Sequence, residues 1–69
     1  MKKQTPPGQP LRELRKYAGL TLEDVATRAD CAVSYLSKVE TGKLTPADSF
    51  VARVTTAIAD LLTEHIAAA

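Results

Sequence analysis

Apolar residues recur at helical spacing along most of the chain. Leu11, Leu14 and Ala18 fall at i, i+3 and i+7, the positions that share one face of an α-helix. Val54 and Ile58 continue the same spacing towards the C-terminus. No segment shows the alternation of apolar and polar residues that is typical of a strand. The pattern predicts an all-α chain of four or five short helices.

The first helix is predicted to begin at Pro10 and to end at Gly19. Proline fits the first position of a helix because its missing N–H needs no partner there. Glycine readily adopts the left-handed conformation that closes a helix. Residues 1–9 are rich in proline and have no periodicity, so we expect a flexible N-terminal arm ahead of a domain over residues 10–69.

A capping signal marks the start of the second helix. Thr21 is a favourable N-cap residue, and Asp24 follows at the position that completes a short capping box. Leu20 and Val25 flank this box at the spacing of a hydrophobic staple. Asp30 stands where the chain must reverse, and aspartate tolerates the left-handed conformation better than most residues do.

The third helix is predicted over about residues 32–41, and Gly42 ends it. Leu36 and Val39 lie on one side of this helix as candidate core residues, whereas the opposite side is largely polar. Two short helices joined by a tight turn, the second with a polar outer face, describe a helix-turn-helix motif.

The last helix is predicted to start with Thr45 as its N-cap and Pro46 at its first position. No glycine or proline follows. Either one long helix runs to about residue 67, or a break falls near Ala59–Asp60.

The run from Leu11 to Leu62 resembles the phage repressor and Cro type of helix-turn-helix domain, the XRE-like family. The resemblance rests on the motifs GLT with EDVA, SYLSKVE, GK and a proline at position 46. It implies a compact, lambda-repressor-like domain that binds double-stranded DNA. In this family the start of the recognition helix and the turn after it read base edges, which gives the candidates Ala32, Val33, Ser34, Ser37 and Lys38.

The chemistry of these side chains suits a major groove. Lys38 can donate to guanine O6 and N7, and Ser34 can pair with several bases or with phosphate. Val33 can pack on a thymine methyl group. The alternative is that Val33 is a single exposed apolar residue of the kind common on protein surfaces.

Contacts to the DNA backbone are expected on either side of the recognition helix. The start of the second helix, near Thr21 and Leu22, carries free N–H groups and the positive end of the helix dipole. Tyr35 can reach a phosphate through its hydroxyl group. The resemblance also places Lys43 among the residues that contact the backbone, and Arg28 is a further candidate.

Three positions depart from the pattern of the family. Leu22 stands where the family often has a glutamine that contacts phosphate. Asp30 replaces the usual glycine of the turn, and Ala32 replaces the serine or threonine that caps the recognition helix. Losing such a cap costs about 1 kcal/mol.

The resemblance also implies an ion pair between Arg15 and Glu40, which joins the first helix to the end of the recognition helix. The planar fork of arginine can bond a carboxylate twice, which suits a structural pair. The alternative is two separately solvated side chains.

The last helix carries more apolar residues than a domain of this size can bury. Such a stripe indicates a homodimer that would hold two recognition helices about 34 Å apart. The alternative is that these residues cover the core of their own domain. The candidate dimerisation residues are Ile58, Leu61, Leu62 and Ile66.

Composition adds only weak constraints. Nine basic and eight acidic residues give a net charge of +1, which alone lends little support to a nucleic-acid partner. One cysteine and one histidine cannot complete a zinc site, and we expect Cys31 to be a small core residue rather than a redox sensor. No apolar run approaches the roughly 20 residues that span a bilayer. We therefore expect a cytoplasmic protein with no metal, no cofactor and no membrane partner.

The predicted function is a small, sequence-specific regulator of transcription, most simply a phage or mobile-element repressor or Cro-like protein. No nucleophile with a base beside it and no phosphate-cradling loop is visible in the sequence, so we do not expect an enzyme. A protein-interaction module or an antitoxin-type protein that binds a partner would use the same fold. Binding of duplex DNA that weakens with salt separates these alternatives.

Overall fold

The computed structural model describes residues 8–68 of the chain, with side chains as far as Ile66. Four α-helices follow one another in this part: α1 (Gly8–Tyr17), α2 (Leu22–Ala29), α3 (Val33–Glu40) and α4 (Asp48–Ala68). Residues 8–68 contain no strand. The prediction of an all-α chain is confirmed, with four helices rather than five.

The core is built from one apolar face of each helix. α2 packs against α3 and α4, and α1 also packs against α3 and α4, so every helix contributes to a single cluster. Small side chains at Ala26 and Ala29 of α2 are buried, which allows the neighbouring helices to approach closely. The largest fully buried side chains are Leu36, Ile58, Val25, Val39 and Val54.

Glycines with positive φ end α1 and α3, as predicted. Gly19 has a φ of 73° and Gly42 a φ of 83°. After Gly19, the N–H of Leu20 donates to the carbonyl oxygen of Arg15 at 3.1 Å. After Gly42, the N–H of Lys43 donates to the carbonyl oxygen of Lys38 at 2.8 Å. Both ends are therefore Schellman motifs, which satisfy carbonyl groups that a helix end leaves free.

The start of α1 lies two residues before the predicted start at Pro10, so Gly8 and Gln9 belong to the helix and not to an arm. Gly8 is buried against the end of α3, and a Cβ atom there would lie 1.8 Å from the carbonyl oxygen of Val39. Only glycine permits this approach. The rest of the predicted arm, residues 1–7, lies outside the described residues.

The start of α4 also differs from the prediction. The helix begins at Asp48, and the carbonyl oxygen of Ala47 accepts the N–H groups of Phe50 and Val51 at 3.0 and 3.1 Å. Thr45 is thus not the N-cap, and Pro46 is a buried residue ahead of the helix. The helix then continues through residues 59–60 without a break.

Candidate nucleic-acid interface

A tight turn sets α3 across α2. Asp30 adopts the left-handed conformation, with φ 60° and ψ 52°, as the sequence predicts for the reversing residue. Its N–H donates to the carbonyl oxygen of Thr27 at 3.2 Å, and the N–H of Cys31 donates to that of Ala26 at 2.9 Å. The backbone bonds of the turn hold the two helices of the motif at a fixed angle.

α3 has one buried side and one open side. Leu36 and Val39 are fully buried, whereas Val33 is 42% exposed. The structure brings the five predicted base-contacting residues together at or next to the open side of α3. Four of them are exposed and Ser37 is partly buried; the set is Ala32, Val33, Ser34, Ser37 and Lys38.

The C-terminal end of α3 is fastened to α1 by an ion pair. The Nε and Nη2 atoms of Arg15 donate to the two carboxylate oxygens of Glu40 at 2.8 and 2.9 Å. The Nη1 atom of Arg15 donates to the carbonyl oxygen of Leu20 at 2.8 Å. The side chains of Arg15 and Glu40 are only 12% and 3% exposed. The pair therefore holds α3 in place and leaves no free carboxylate on its outer face.

The N-terminus of α2 is closed by its own side chains. The Oγ1 atom of Thr21 accepts the N–H of Asp24 at 3.0 Å, and the carboxylate of Asp24 accepts the N–H of Thr21 at 3.0 Å. The hydrogen bond from the N–H of Thr21 to the carboxylate lowers the pKa of Asp24. Glu23 adds a second acidic side chain to the first turn.

This arrangement argues against the predicted phosphate contacts at Thr21 and Leu22. The capping carboxylate occupies the positive end of the dipole, and two negative charges repel a phosphate. Leu22 is partly buried and packs against the core. Both residues have a structural role here, and their contact with the DNA backbone stays a prediction.

Arg28, a predicted contact to the DNA backbone, forms ion pairs with α4. Its guanidinium lies against α4, where Nη2 donates to the carboxylate of Glu64 and Nη1 lies 3.8 Å from the Oδ2 atom of Asp60. The hydrogen bond lowers the pKa of Glu64 and raises the pKa of Arg28. These ion pairs join α2 to α4, and the contact of Arg28 with a phosphate stays a prediction.

The N-terminus of α3, in contrast, is open. Ala32 is its N-cap, with extended backbone and no side-chain hydrogen bond, and the first turn holds no acidic residue. The first N–H groups of a helix have no partner within the helix. Two exposed cations lie near the other end of the motif, Lys38 on α3 and Lys43 after it. Nothing on the outer face of α3 opposes a polyanion.

Tyr35 is fixed by an aromatic contact that sequence reasoning missed. Its ring meets that of Phe50 edge to face, with centroids 4.9 Å apart and an interplanar angle of 90°. The guanidinium carbon of Arg53 lies 5.7 Å from the centroid of the Phe50 ring. Within the described residues, Arg53 has no carboxylate within salt-bridge distance. Phe50 is the chain's single phenylalanine. Its presence was the one signal in the sequence that could have predicted an aromatic partner for Tyr35.

The predicted dimerisation residues divide between core and surface. Ile58 is fully buried in its own domain, so its prediction as an interface residue is wrong. Leu61 is partly buried and packs against the same core. Leu62 and Ile66, one turn apart, are 39% and 68% exposed.

The structure also bears on the expectations for Cys31 and for membrane-spanning helices. Cys31 is partly buried next to the core, and burial raises the pKa of its thiol. No helix within residues 8–68 is long and apolar enough to cross a membrane.

The comparisons with known proteins agree with this geometry. A family model described as a helix-turn-helix domain matches residues 8–62. No match was found among curated proteins or among solved structures. Because the matched region is most of the chain and contains α2, the turn and α3, the chain belongs to the helix-turn-helix domain family, and the family indicates a DNA-binding regulator.

Proposed function

We propose that the protein is a sequence-specific transcriptional regulator that inserts α3 into the major groove of double-stranded DNA. The observation that carries the proposal is the division of α3 into two sides. Leu36, Val39 and the paired Glu40 hold one side in the core. The other side presents short polar and apolar groups and one lysine. A major groove about 12 Å wide admits a helix presented in this way.

Lys38 is the residue to which we assign the strongest base contact. It is exposed on α3, and a lysine ammonium can donate to the O6 and N7 atoms of guanine. Ser34 lies one turn earlier on the same open side, where its hydroxyl group can donate or accept. Ala32 and Ser37 complete the contact surface with short side chains that let the helix approach the bases closely.

Contacts to the phosphate backbone are assigned to Lys43 and Tyr35. Lys43 follows the Schellman motif of α3 and is exposed, so its ammonium can reach a phosphate beside the groove. The ring of Tyr35 is held by Phe50, which reduces the entropy lost when its hydroxyl group meets a phosphate. These contacts position α3 and make binding depend on salt.

The direction of regulation that we propose is repression. A protein that blocks a promoter by occupying its operator needs no activity beyond DNA binding. DNA binding is the activity that the outer face of α3 supports. We place this repressor or Cro-like role in the phage or mobile-element setting that the resemblance implies.

We further propose that the regulator binds DNA as a homodimer through the end of α4. The helix continues beyond residue 62, where the family match ends, and carries the exposed Ile66 past it. Leu62 lies one turn earlier on the same side. A two-fold dimer would pair these side chains and place its recognition helices about 34 Å apart.

Sedimentation of the protein tests the dimer. The wild type is expected to sediment as a dimer at micromolar concentration, and Leu62→Glu with Ile66→Glu as a monomer. Thr63→Glu, also exposed on the last turns of α4, is the control and is expected to remain dimeric. A wild-type protein that sediments as a monomer, with or without DNA, would contradict this part of the proposal.

Selection from a random duplex library tests the function itself. The enriched site is then titrated with wild type, Lys38→Ala and the control Lys16→Ala at two salt concentrations. Loss of a good base contact costs about 1–3 kcal/mol, so Lys38→Ala is expected to bind at least several-fold more weakly. Lys16 is an exposed lysine of α1, and its loss is expected to change little. Absence of any enriched duplex would overturn the proposal and favour a protein partner.

A further inference from the structure

The first turn of α3 presents an apolar side chain to solvent. Val33 is the first residue of the helix and is 42% exposed. The residues on either side, Ala32 and Ser34, are both shorter and exposed. The longest of these three neighbouring side chains therefore ends in two methyl groups and has no hydrogen-bonding atom.

The edges of the bases in the major groove restrict what such a side chain can contact favourably. Purines present the N7 acceptor and a polar group at position 6, and cytosine presents its N4 amino group. Covering these groups with the methyl groups of Val33 would remove their water and supply no hydrogen bond in return. Thymine alone among the four bases presents a methyl group there, on C5. A methylated cytosine carries the same group on the same carbon.

We infer that Val33, with Ala32 beside it, reads the C5-methyl group of a pyrimidine, and that 5-methylcytosine is accepted where thymine is accepted. The inference rests on the proposed function and names the chemical group that this part of the interface recognises. It has a regulatory consequence, because methylation of an operator cytosine at this position strengthens binding without any change in sequence.

Removal of single methyl groups from the DNA tests the inference directly. The duplex enriched by selection is prepared with each thymine replaced in turn by deoxyuridine, which removes only the methyl group. Binding is measured by fluorescence anisotropy with wild-type protein. Removing one buried methyl group is expected to weaken binding about fourfold at one position of each half-site, and to have little effect elsewhere. At that position cytosine is expected to bind weakly and 5-methylcytosine to recover part of the loss.

Protein variants then assign the effect to Val33. Val33→Ala is expected to bind the thymine and deoxyuridine duplexes with nearly equal affinity, because the methyl group has lost its partner. Lys16→Ala, at an exposed position of α1 outside the proposed contact surface, is the control and is expected to keep the discrimination. Val33 is exposed, so its truncation leaves the core intact, and circular dichroism verifies that both variants are folded.

Three results would overturn the inference, and they are distinguishable. Tight binding with no sensitivity to any thymine methyl group would show that this face reads other chemistry. Sensitivity that persists in Val33→Ala would assign the methyl contact to another residue. Failure to enrich any duplex would overturn the proposed function, and the inference with it.

Discussion

The first turns of α2 and α3 differ in whether a side chain accepts hydrogen bonds from their free N–H groups. Both helices have eight residues, and both leave N–H groups at their first turn. At α2, Thr21 and Asp24 form a complete capping box and Glu23 adds a second acidic group. At α3, Ala32 offers no capping atom and no acidic residue follows it in the first turn.

The difference means that side-chain caps stabilise the start of α2, whereas the first N–H groups of α3 are left without a capping side chain. A capped helix start is stabilised by about 1 kcal/mol, and α3 forgoes this contribution. Its stability comes instead from its buried side, where Leu36 and Val39 pack in the core and Glu40 is held by Arg15. α3 is thus held in place along its buried side and at its C-terminal end. Its N-terminal turn stays open towards the groove that we propose it enters.

The largest expected loss of stability comes from removing the ion pair that joins the C-terminal end of α3 to α1. Arg15→Ala leaves the carboxylate of Glu40 buried without its partner, and removal of one member of a buried pair costs about 3 kcal/mol or more. The free energy of unfolding from urea titration measures this loss. Arg12→Ala, an exposed arginine of the same helix, is the control. Equal, small losses in both variants would mean that the pair does not secure α3.

A second substitution disturbs the packing of α1 against the backbone at the C-terminal end of α3. In Gly8→Ala the new Cβ atom would meet the carbonyl oxygen of Val39 at 1.8 Å, so α1 must move away from α3. Overpacking of this kind typically costs about 1–3 kcal/mol. Gln9→Ala, at the exposed next position, should leave the urea midpoint nearly unchanged. A Gly8→Ala protein as stable as the wild type would show that α1 does not pack this closely against α3.

A pair of cap substitutions sharpens the comparison between the two helix starts. Thr21→Ala removes the cap of α2 and is expected to lower the free energy of unfolding by about 1 kcal/mol. Ala32→Ser supplies α3 with a capping oxygen and is expected to raise it by up to about 1 kcal/mol. Urea titrations of both variants measure the two changes. The same sign of change in both variants would contradict the description of one start as capped and the other as open.

The smallest expected effect is the dependence of stability on pH that comes from the capping box of α2. The pKa of Asp24 lies below its ordinary value because Thr21 donates to its carboxylate. A carboxyl group with a lowered pKa in the folded state stabilises the protein at pH values above its unfolded pKa, about 3.9. This contribution is lost as the pH falls through the lower folded pKa. Asp24→Asn is expected to flatten the acid limb of a plot of the free energy of unfolding against pH. An acid limb as steep as that of the wild type would contradict the assignment.

Local signals predicted much of the fold. The left-handed residues Gly19 and Asp30, and the capping box of Thr21 and Asp24, act over a few residues of chain, so the sequence reveals them. The open side of α3 was also predictable, because Leu36 and Val39 mark its opposite side.

The features that sequence reasoning missed depend on contacts between distant segments. Gly8 extends α1 because it lies against the backbone of Val39, and no local signal indicates such an approach. Pro46 is buried ahead of α4 instead of opening the helix. The periodicity of α4 placed Ile58 on an apolar stripe, but which part of that stripe the domain itself covers is decided by where α1 and α2 pack.

The most direct test of the central claim is a map of the DNA contact by nuclear magnetic resonance. The selected duplex is titrated into isotope-labelled protein, and the shifts of the backbone amides are followed residue by residue. Our account predicts that the largest changes fall on residues 32–38 and at Lys43, with smaller changes at Thr21 and Leu22. Changes centred on the capped start of α2 or on the exposed end of α4, with α3 unaffected, would contradict the assignment of α3 as the recognition helix.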